Sequence, residues 1–345
     1  MRRRLRTVPR AAWLCALVAV VNGIAWSLLV PPLQSFDETV HVYYGQFLAE
    51  TYNVPRPIPG SVLSEDELAI VNGVKLFDVV GNTDGHPPWT EVEDDGLDKA
   101  LVSGLGRVSQ GADGGVGAYP PLYYALGAVG YKLSPWESLL DRLEAMRLAS
   151  VLLAGLTALF VCLFARELVP RPVWAWRAAG LVAAFQPIFG FLSGVFNPDM
   201  GIAAGSAILF YGIARAWRRG LTLRLGVLIG AALSGAFLSK LAAAGFVPGA
   251  ALAVLLLAWR QKAYRGLFSF AAGAGVPVLV YMALNKLVWD RPLLLGGGGV
   301  ASGGPPKPGN FNEMLTYVWE SFLPRLPFMQ DRFVYDFPLW DRYLR

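Results

Sequence analysis

The sequence predicts an all-α polytopic membrane protein, and three observations carry that prediction. Of its 345 residues, 54% are hydrophobic and only 16% are charged, against about 25% charged in ordinary soluble domains. Mean hydropathy is +0.44. The apolar residues gather into runs long enough to cross a bilayer, which needs roughly 17–25 residues per helix. Together these exclude a soluble globular enzyme, a disordered chain and a collagen-like fibre. The two cysteines, Cys15 and Cys162, sit inside apolar runs, so neither a disulfide framework nor a cysteine-based metal site follows from them.

Residues 1–10 form a basic tail. The first span, 11–31, is longer than the apolar core of a cleaved signal peptide and runs into Pro31-Pro32-Leu33-Gln34, which reads as an uncleaved anchor. Six further spans follow at 147–165, 178–196, 200–217, 225–239, 241–259 and 267–286. The fifth is short and ends at Lys240, whose stem can snorkel to the surface.

Charge sets the orientation. With the N-terminus cytoplasmic, one side receives Arg2, Arg3, Arg4, Arg6 and Arg10, then the arginines at 166, 171 and 177, 215 to 224, and the 260–265 cluster. That is fifteen positive charges against the single acid Glu167, a positive-inside pattern. The opposite, external side receives 32–146, with six basic and seventeen acidic residues. The net +5 is therefore a topology signal, and no nucleic-acid partner is implied. The stretch from Tyr119 to Leu133 is apolar but short, and crossing there would put every later arginine cluster outside. It is expected to lie at the interface or to re-enter.

External region 32–146 is expected to carry interfacial helices around a polar middle. Its acid run, Glu91, Glu93, Asp94, Asp95 and Asp98, is expected to be a solvated loop face; calcium binding is the lesser alternative, because the ligand spacing of a calcium loop is absent. Region 287–345 holds the glycine runs at 296–299 and 303–309, which lack the strand–glycine–helix context of a phosphate loop. An amphipathic, Trp-bearing helix is expected from Phe311 to Phe328.

The informative residues lie where the first span ends. Phe36, Val40, Tyr43 and Phe47 recur at helical spacing, predicting an amphipathic helix along the surface. Asp37 and His41 are then i and i+4 on one face, with Glu38 offset by about 100°. Adjacent acids beside lipid are costly unless paired or used, although acids also favour the first turn of any helix. Asp199, in Phe196-Asn197-Pro198-Asp199, is pinned to the turn joining spans three and four, and Asn-Pro with Asp is also an ordinary turn sequence. Lys240 lies in the tight connection of spans five and six, and Arg147 opens span two. All of these fall at one depth. Acids with cations nearby suit a reaction in which a carboxylate takes a proton from an acceptor while cations hold a phosphate leaving group.

At these residues the sequence resembles a known family. The PP-x-Q-x-x-DE-x-x-H stretch at 31–41, Tyr-Pro-Pro-Leu-Tyr-Tyr at 119–124, Arg147-Leu148-x-Ser150, Asn197-Pro198-Asp199 and Ser239-Lys240-Leu241 occur in order. Together they resemble the GT-C superfamily of polytopic glycosyltransferases, in the branch of bacterial protein mannosyltransferases and lipid A aminoarabinose transferases. The resemblance implies an inverting transferase at the outer face of the plasma membrane. It implies a polyprenyl-phosphate-linked sugar as donor and a protein, glycan or lipid as acceptor. It further implies Asp37, with Glu38 beside it, as general base or metal-associated acid, and Asp199 as a second catalytic acid. His41, Tyr123, Arg147 and Lys240 are the implied substrate-binding residues, and a divalent metal ion is the cofactor such acids could hold. Family members carry more helices than the seven found here, so a truncated or reduced member is expected. A non-enzymatic polyprenyl-lipid carrier, flippase or assembly partner is the alternative. A proton- or ion-coupled transporter is disfavoured, since no span carries an acid at its centre.

Overall fold

The computed structural model describes residues 8–35, 37–55, 57–58, 63–79, 90–102, 105–108, 112–113 and 116–293. The expected helix at Phe311–Phe328 and the glycine runs beyond 295 lie outside the described residues. Thirteen α-helices carry the fold among those described. Its only strands there are Pro57–Ile58 (β1) and Ala112–Asp113 (β2), which pair in parallel. The chain is an all-α polytopic membrane protein.

The first helix, α1 (Arg10–Leu29), presents a stripe of small residues, Ala12, Cys15, Ala19, Gly23 and Ser27, to its neighbours. Its opposite face leaves Trp13, Leu14, Leu17, Val21 and Leu28 exposed, as lipid contact requires. Small residues let helices approach closely where apolar burial alone gives no drive. The stripe packs on α7 (Leu139–Leu168) and α8 (Val173–Phe185).

Span two begins earlier than its apolar run. At 30 residues, α7 is about 45 Å long at 1.5 Å per residue, well beyond a hydrocarbon core of about 30 Å. Ser138 caps it by accepting from Leu140 N at 3.2 Å. Arg147 is thus two turns inside the helix, not at its opening. Charged residues at 141, 142 and 144 end an apolar run without ending a helix.

Span three, expected as one helix over 178–196, is α8 followed by α9 (Pro187–Ser193), bent by 58°. Pro187 has no N–H to continue α8, and Gln186 starts the new helix by accepting from Phe189 N at 2.6 Å. The later spans are α10 (Asp199–Arg219), α11 (Leu223–Ser239), α12 (Phe246–Gln261) after a 3₁₀ turn at Leu241–Gly245, and α13 (Tyr264–Leu287). Among the described residues five helices are long and apolar enough to cross a bilayer, six if the bent pair is one span. The remaining one of the seven expected spans, α11, has 17 residues, at the short limit. It is sandwiched between α10 and α13.

Two ends result. At the basic end Glu167 is clasped by Arg215 at 2.8 Å and by Arg219, so the one acid there neutralises part of the arginine cluster. At the other end sit α2 (Glu38–Thr51), α3 (Glu65–Gly73), α4 (Leu76–Val79), α5 (Glu91–Val102) and α6 (Leu122–Leu133). The acid run expected as loop is α5, with Glu91, Glu93 and Asp94 in its first turn, where acids favour the helix dipole. The short apolar stretch is α6. It is packed against α2 and α7, and Tyr123, Tyr124, Gly127 and Tyr131 are buried on that side.

Glycine sets the spacing of α11 and α13. A Cβ at Gly230 would lie 2.6 Å from Ala274 N and closer still to the Phe270 carbonyl oxygen, whereas one at Gly235 meets nothing within 4 Å. Gly230→Ala is therefore expected to destabilise the protein by about 1–3 kcal/mol through overpacking. Gly235→Ala should be neutral or slightly stabilising, because alanine is the better helix former. Thermal unfolding in detergent compares the two.

Candidate active site

At the loop end the chain leaves α1 through Pro31-Pro32 and enters α2 within a few residues. That path needs two residues with left-handed backbone, Leu33 at φ 63° and Asp37 at φ 55°. Such conformations cost of order 1–3 kcal/mol each and persist only where the surroundings over-determine them. Here the surroundings are a buried ion pair. Glu38 and Arg147 are both fully buried, with Nε donating to Oε1 and Nη2 to Oε2, each at 2.8 Å.

Every other polar atom of the pair is also used. Arg147 donates further to the carbonyls of Ser27, Val30 and Pro31 and to Glu144 Oε1. Glu38 accepts in addition from Leu33 N at 3.1 Å and from Phe196 N at 2.9 Å. Ser27 Oγ closes the ring by donating to Glu144 Oε2 at 2.7 Å. A guanidinium has five N–H donors, and all are committed within the protein. Five pieces of chain, the end of α1, the 30–38 turn, α2, α7 and the 194–198 turn, thus meet on one charge pair.

Asp37 itself stands outside this knot. It is exposed, and its carboxylate has no partner among the described residues. Because its backbone is left-handed it is not the first residue of the helix, and the expected shared face with His41 does not form. The link between them is the ordinary bond from His41 N to Asp37 O at 3.1 Å. The buried residues of α2 are Glu38, His41, Val42, Tyr43, Tyr44, Gly45, Gln46 and Ala49; of the expected apolar face Tyr43 is among them, while Val40 and Phe47 are only half-buried.

The turn after α9 carries the second acid. Asn197 Oδ1 accepts from Asp199 N at 2.9 Å, the usual way Asn shapes a turn. Asp199 opens α10, where the helix dipole favours its charge. Lys240, the residue that ends α11, donates from Nζ to Asp199 Oδ1 at 2.8 Å. The two side chains are 21% and 40% exposed respectively, so this pair faces solvent and, unlike the Glu38–Arg147 pair, is open to exchange partners. Sequence depth had brought them to one level; the structure brings them into contact.

Between the two pairs lies an aromatic wall. Tyr123 hydroxyl pairs with Ser150 Oγ at 2.6 Å and its ring packs on Phe196, centroids 4.8 Å apart. A Cβ at Gly127 would collide with that Phe196 ring. Tyr124 hydroxyl meets His41 Nδ1 at 2.9 Å, and its ring stacks on Tyr44 at 3.8 Å. Tyr44 hydroxyl donates to the Tyr119 carbonyl. Burial raises the tyrosine pKa values, and the negative charges of Glu38 and Asp199 near Tyr123 add to this. His41 is pushed down to about 3, first by burial and then by the charge of Lys240. His41 is therefore a neutral hydrogen-bonding group across physiological pH.

Sequence reasoning missed Glu144, Tyr44, Tyr124 and the Phe196 amide. Glu144 had a readable signal, since an acid three residues before an arginine on a helix is its neighbour by geometry alone. The amide of Phe196 had none. Among the described residues no three of His, Cys, Asp and Glu converge to hold a metal ion.

Residues 119–289 match the family model of dolichyl-phosphate-mannose-protein mannosyltransferases. The match spans Tyr123, Arg147, Asp199 and Lys240 and begins after Asp37, Glu38 and His41. No curated protein and no solved structure matches the chain.

Two outcomes follow from this geometry. Glu38→Gln leaves Arg147 with only the partly exposed Glu144 as counter-charge and is expected to cost about 3–5 kcal/mol, read as a lower unfolding temperature. His41 has a folded pKa near 3 against about 6.5 in the unfolded chain. Its contribution to stability is complete above about pH 6.5 and is lost as the pH falls towards 3. His41→Gln should flatten that part of a stability–pH curve.

Proposed function

We propose that this chain, a membrane glycosyltransferase of GT-C type by its family match, moves a sugar from a polyprenyl-phosphate donor to a hydroxyl acceptor at the outer face of the plasma membrane. The N-terminus and the arginine clusters are then cytoplasmic, and the end bearing α2 and α6 is external. The acceptor is a protein, glycan or lipid.

The observation that carries the reading is the division of labour among the acids. Glu38 is consumed by Arg147, Asp199 is held by Lys240, and Asp37 alone of the three is exposed without a side-chain partner among the described residues. A general base must be free to take a proton and must be held in place. Asp37 meets the first condition through its exposure and the second through the knot one residue away.

In the proposed reaction Asp37 takes the acceptor hydroxyl proton as the acceptor oxygen bonds to the sugar C1. The bond from C1 to the phosphate oxygen breaks on the opposite side, and its electron pair leaves with the polyprenyl phosphate. Inversion at C1 follows. Asp199 and Lys240 form a switchable pair beside this path: Lys240 can turn from Asp199 towards the developing phosphate charge, which frees Asp199 to contact the acceptor. Tyr123, Tyr124 and neutral His41 form the wall that excludes water and shapes the sugar pocket. Arg147 supports the site from beneath, because its donors are taken.

Asp37→Asn is expected to lower the turnover number by about 10²–10⁴, the usual worth of a general base, with no change in unfolding temperature. The assay is transfer from a polyprenyl-phosphate sugar by the full chain in lipid. Full activity of Asp37→Asn would remove Asp37 from the role. Binding of the donor without any transfer by the native chain would favour a lipid carrier.

A further inference from the structure

Two arginines are fully enclosed among the described residues, and only one of them has a counter-charge. Arg147 has Glu38 and Glu144. Arg291, just beyond α13, is 4% exposed and has no carboxylate within ion-pair distance among the described residues. Its Nη2 donates to the Gly117 carbonyl, while Nε and Nη1 find no acceptor. A buried guanidinium stays charged, and a buried charge left unpaired is strongly unfavourable.

The backbone turns this side chain inward. Arg291 N donates to Asn285 O at 2.8 Å, and Asn285 Nδ2 donates to Leu293 O at 3.3 Å. Asp290 takes a left-handed conformation at φ 47° to close the turn. An arginine at a membrane surface would otherwise snorkel to water. Nearby on α13, one turn before Asn285, the Tyr281 hydroxyl is buried and also without a hydrogen-bond partner. Arg291 meets the Tyr44 hydroxyl both as a charge and as a side-chain hydrogen-bond partner, with the Tyr281 hydroxyl nearby, and Tyr44 stacks on the Tyr124 ring of the candidate site; Nε and Nη1 stay without an acceptor. The unused donors thus belong to a guanidinium that touches the aromatic wall at Tyr44. The site's other cations, Arg147 and Lys240, already hold Glu38 and Asp199.

We infer that the Arg291 guanidinium and the Tyr281 hydroxyl form the subsite for the phosphate of a polyprenyl phosphoester. The identity of the lipid rests on the glycosyl-transfer reading; the need for an anion does not. Nε–H, Nη1–H and the Tyr281 hydroxyl supply three donors to phosphate oxygens, and the phosphate supplies the missing negative charge. Arg291 holds the donor, and Asp37 acts on the acceptor.

The test uses the full chain in nanodiscs of uncharged lipid, with three probes: a long-chain polyprenyl phosphate, the matching polyprenol, and inorganic phosphate. The native protein is expected to bind the phosphate lipid at least about tenfold more tightly than the alcohol, a difference of about 1.4 kcal/mol. Arg291→Gln should erase that preference, Arg291→Lys should retain part of it, and Tyr281→Phe should weaken it. Ligand-free Arg291→Gln should unfold no earlier than the native protein, because an unpaired charge has been removed. An undiminished preference in Arg291→Gln overturns the proposal, as does a large loss of ligand-free stability in that variant. Arg291-dependent binding of inorganic phosphate that displaces the lipid overturns the lipid assignment; failure of inorganic phosphate to compete supports it. Transfer assays on the same samples separate the two readings. Arg291-dependent lipid binding without sugar transfer keeps the subsite and removes the transferase, and transfer by Arg291→Gln at native lipid affinity removes only the subsite.

Discussion

The buried pair of Glu38 and Arg147 is the constraint on which the loop end depends. Two ions withdrawn from water are tolerable only with excellent geometry and all remaining donors and acceptors satisfied. Here both conditions hold: the contact is bidentate at 2.8 Å, and each leftover position meets a backbone group or Glu144. The consequence is mechanical. The pair reaches the end of α1, the turn to α2, α2 itself, the early turns of α7 and the turn before α10, so these five cannot move independently. Breaking it does not remove one contact; it leaves several buried backbone groups and a charge unanswered.

That constraint explains how strained backbone is maintained one residue away. Leu33 and Asp37 both hold left-handed conformations, and Glu38 bonds the amide of the first while directly following the second. The same carboxylate bonds Phe196 N, three residues before Asp199. The positions of the exposed acid and of the Lys240-bound acid are therefore set by one buried side chain. The α1 helix can come this close to α7 because its inner stripe is small, from Ala12 to Ser27. Preorganisation of this kind is what an enzyme needs when a proton and a leaving group must be handled within one encounter.

Much of this was legible in the sequence, and the misses have physical causes. Apolar runs locate helices by their lipid-facing length, so the spans were readable, while α7 began eight residues before its run because a helix continues outside the hydrocarbon. Pro187 marked a break that hydropathy averages over. The common depth of Asp199 and Lys240 was readable from the tight turns, and their contact follows from it. Asp37 and Glu38 were readable as unusual but not as different, because a helical wheel assumes helical backbone and Asp37 does not have it. Arg147 reads as a ligand when seen alone, since only Glu144 is local and the other five of its six acceptors come from residues 27–38, more than a hundred positions away. Arg291 does not stand out in the sequence, because residues 287–345 hold six basic and six acidic residues. Its meaning lies in what it fails to meet, and that is visible only after folding.

The central claim is that Glu38 and Arg147 are a structural clamp and neither an acid nor a phosphate ligand. A double-mutant cycle on Glu38→Gln and Arg147→Met, followed by thermal unfolding in lipid, measures it most directly. A clamp predicts that the double variant is no less stable than either single one, with a coupling of about 2 kcal/mol or more. Independent losses that simply add, with a coupling near zero, would contradict it.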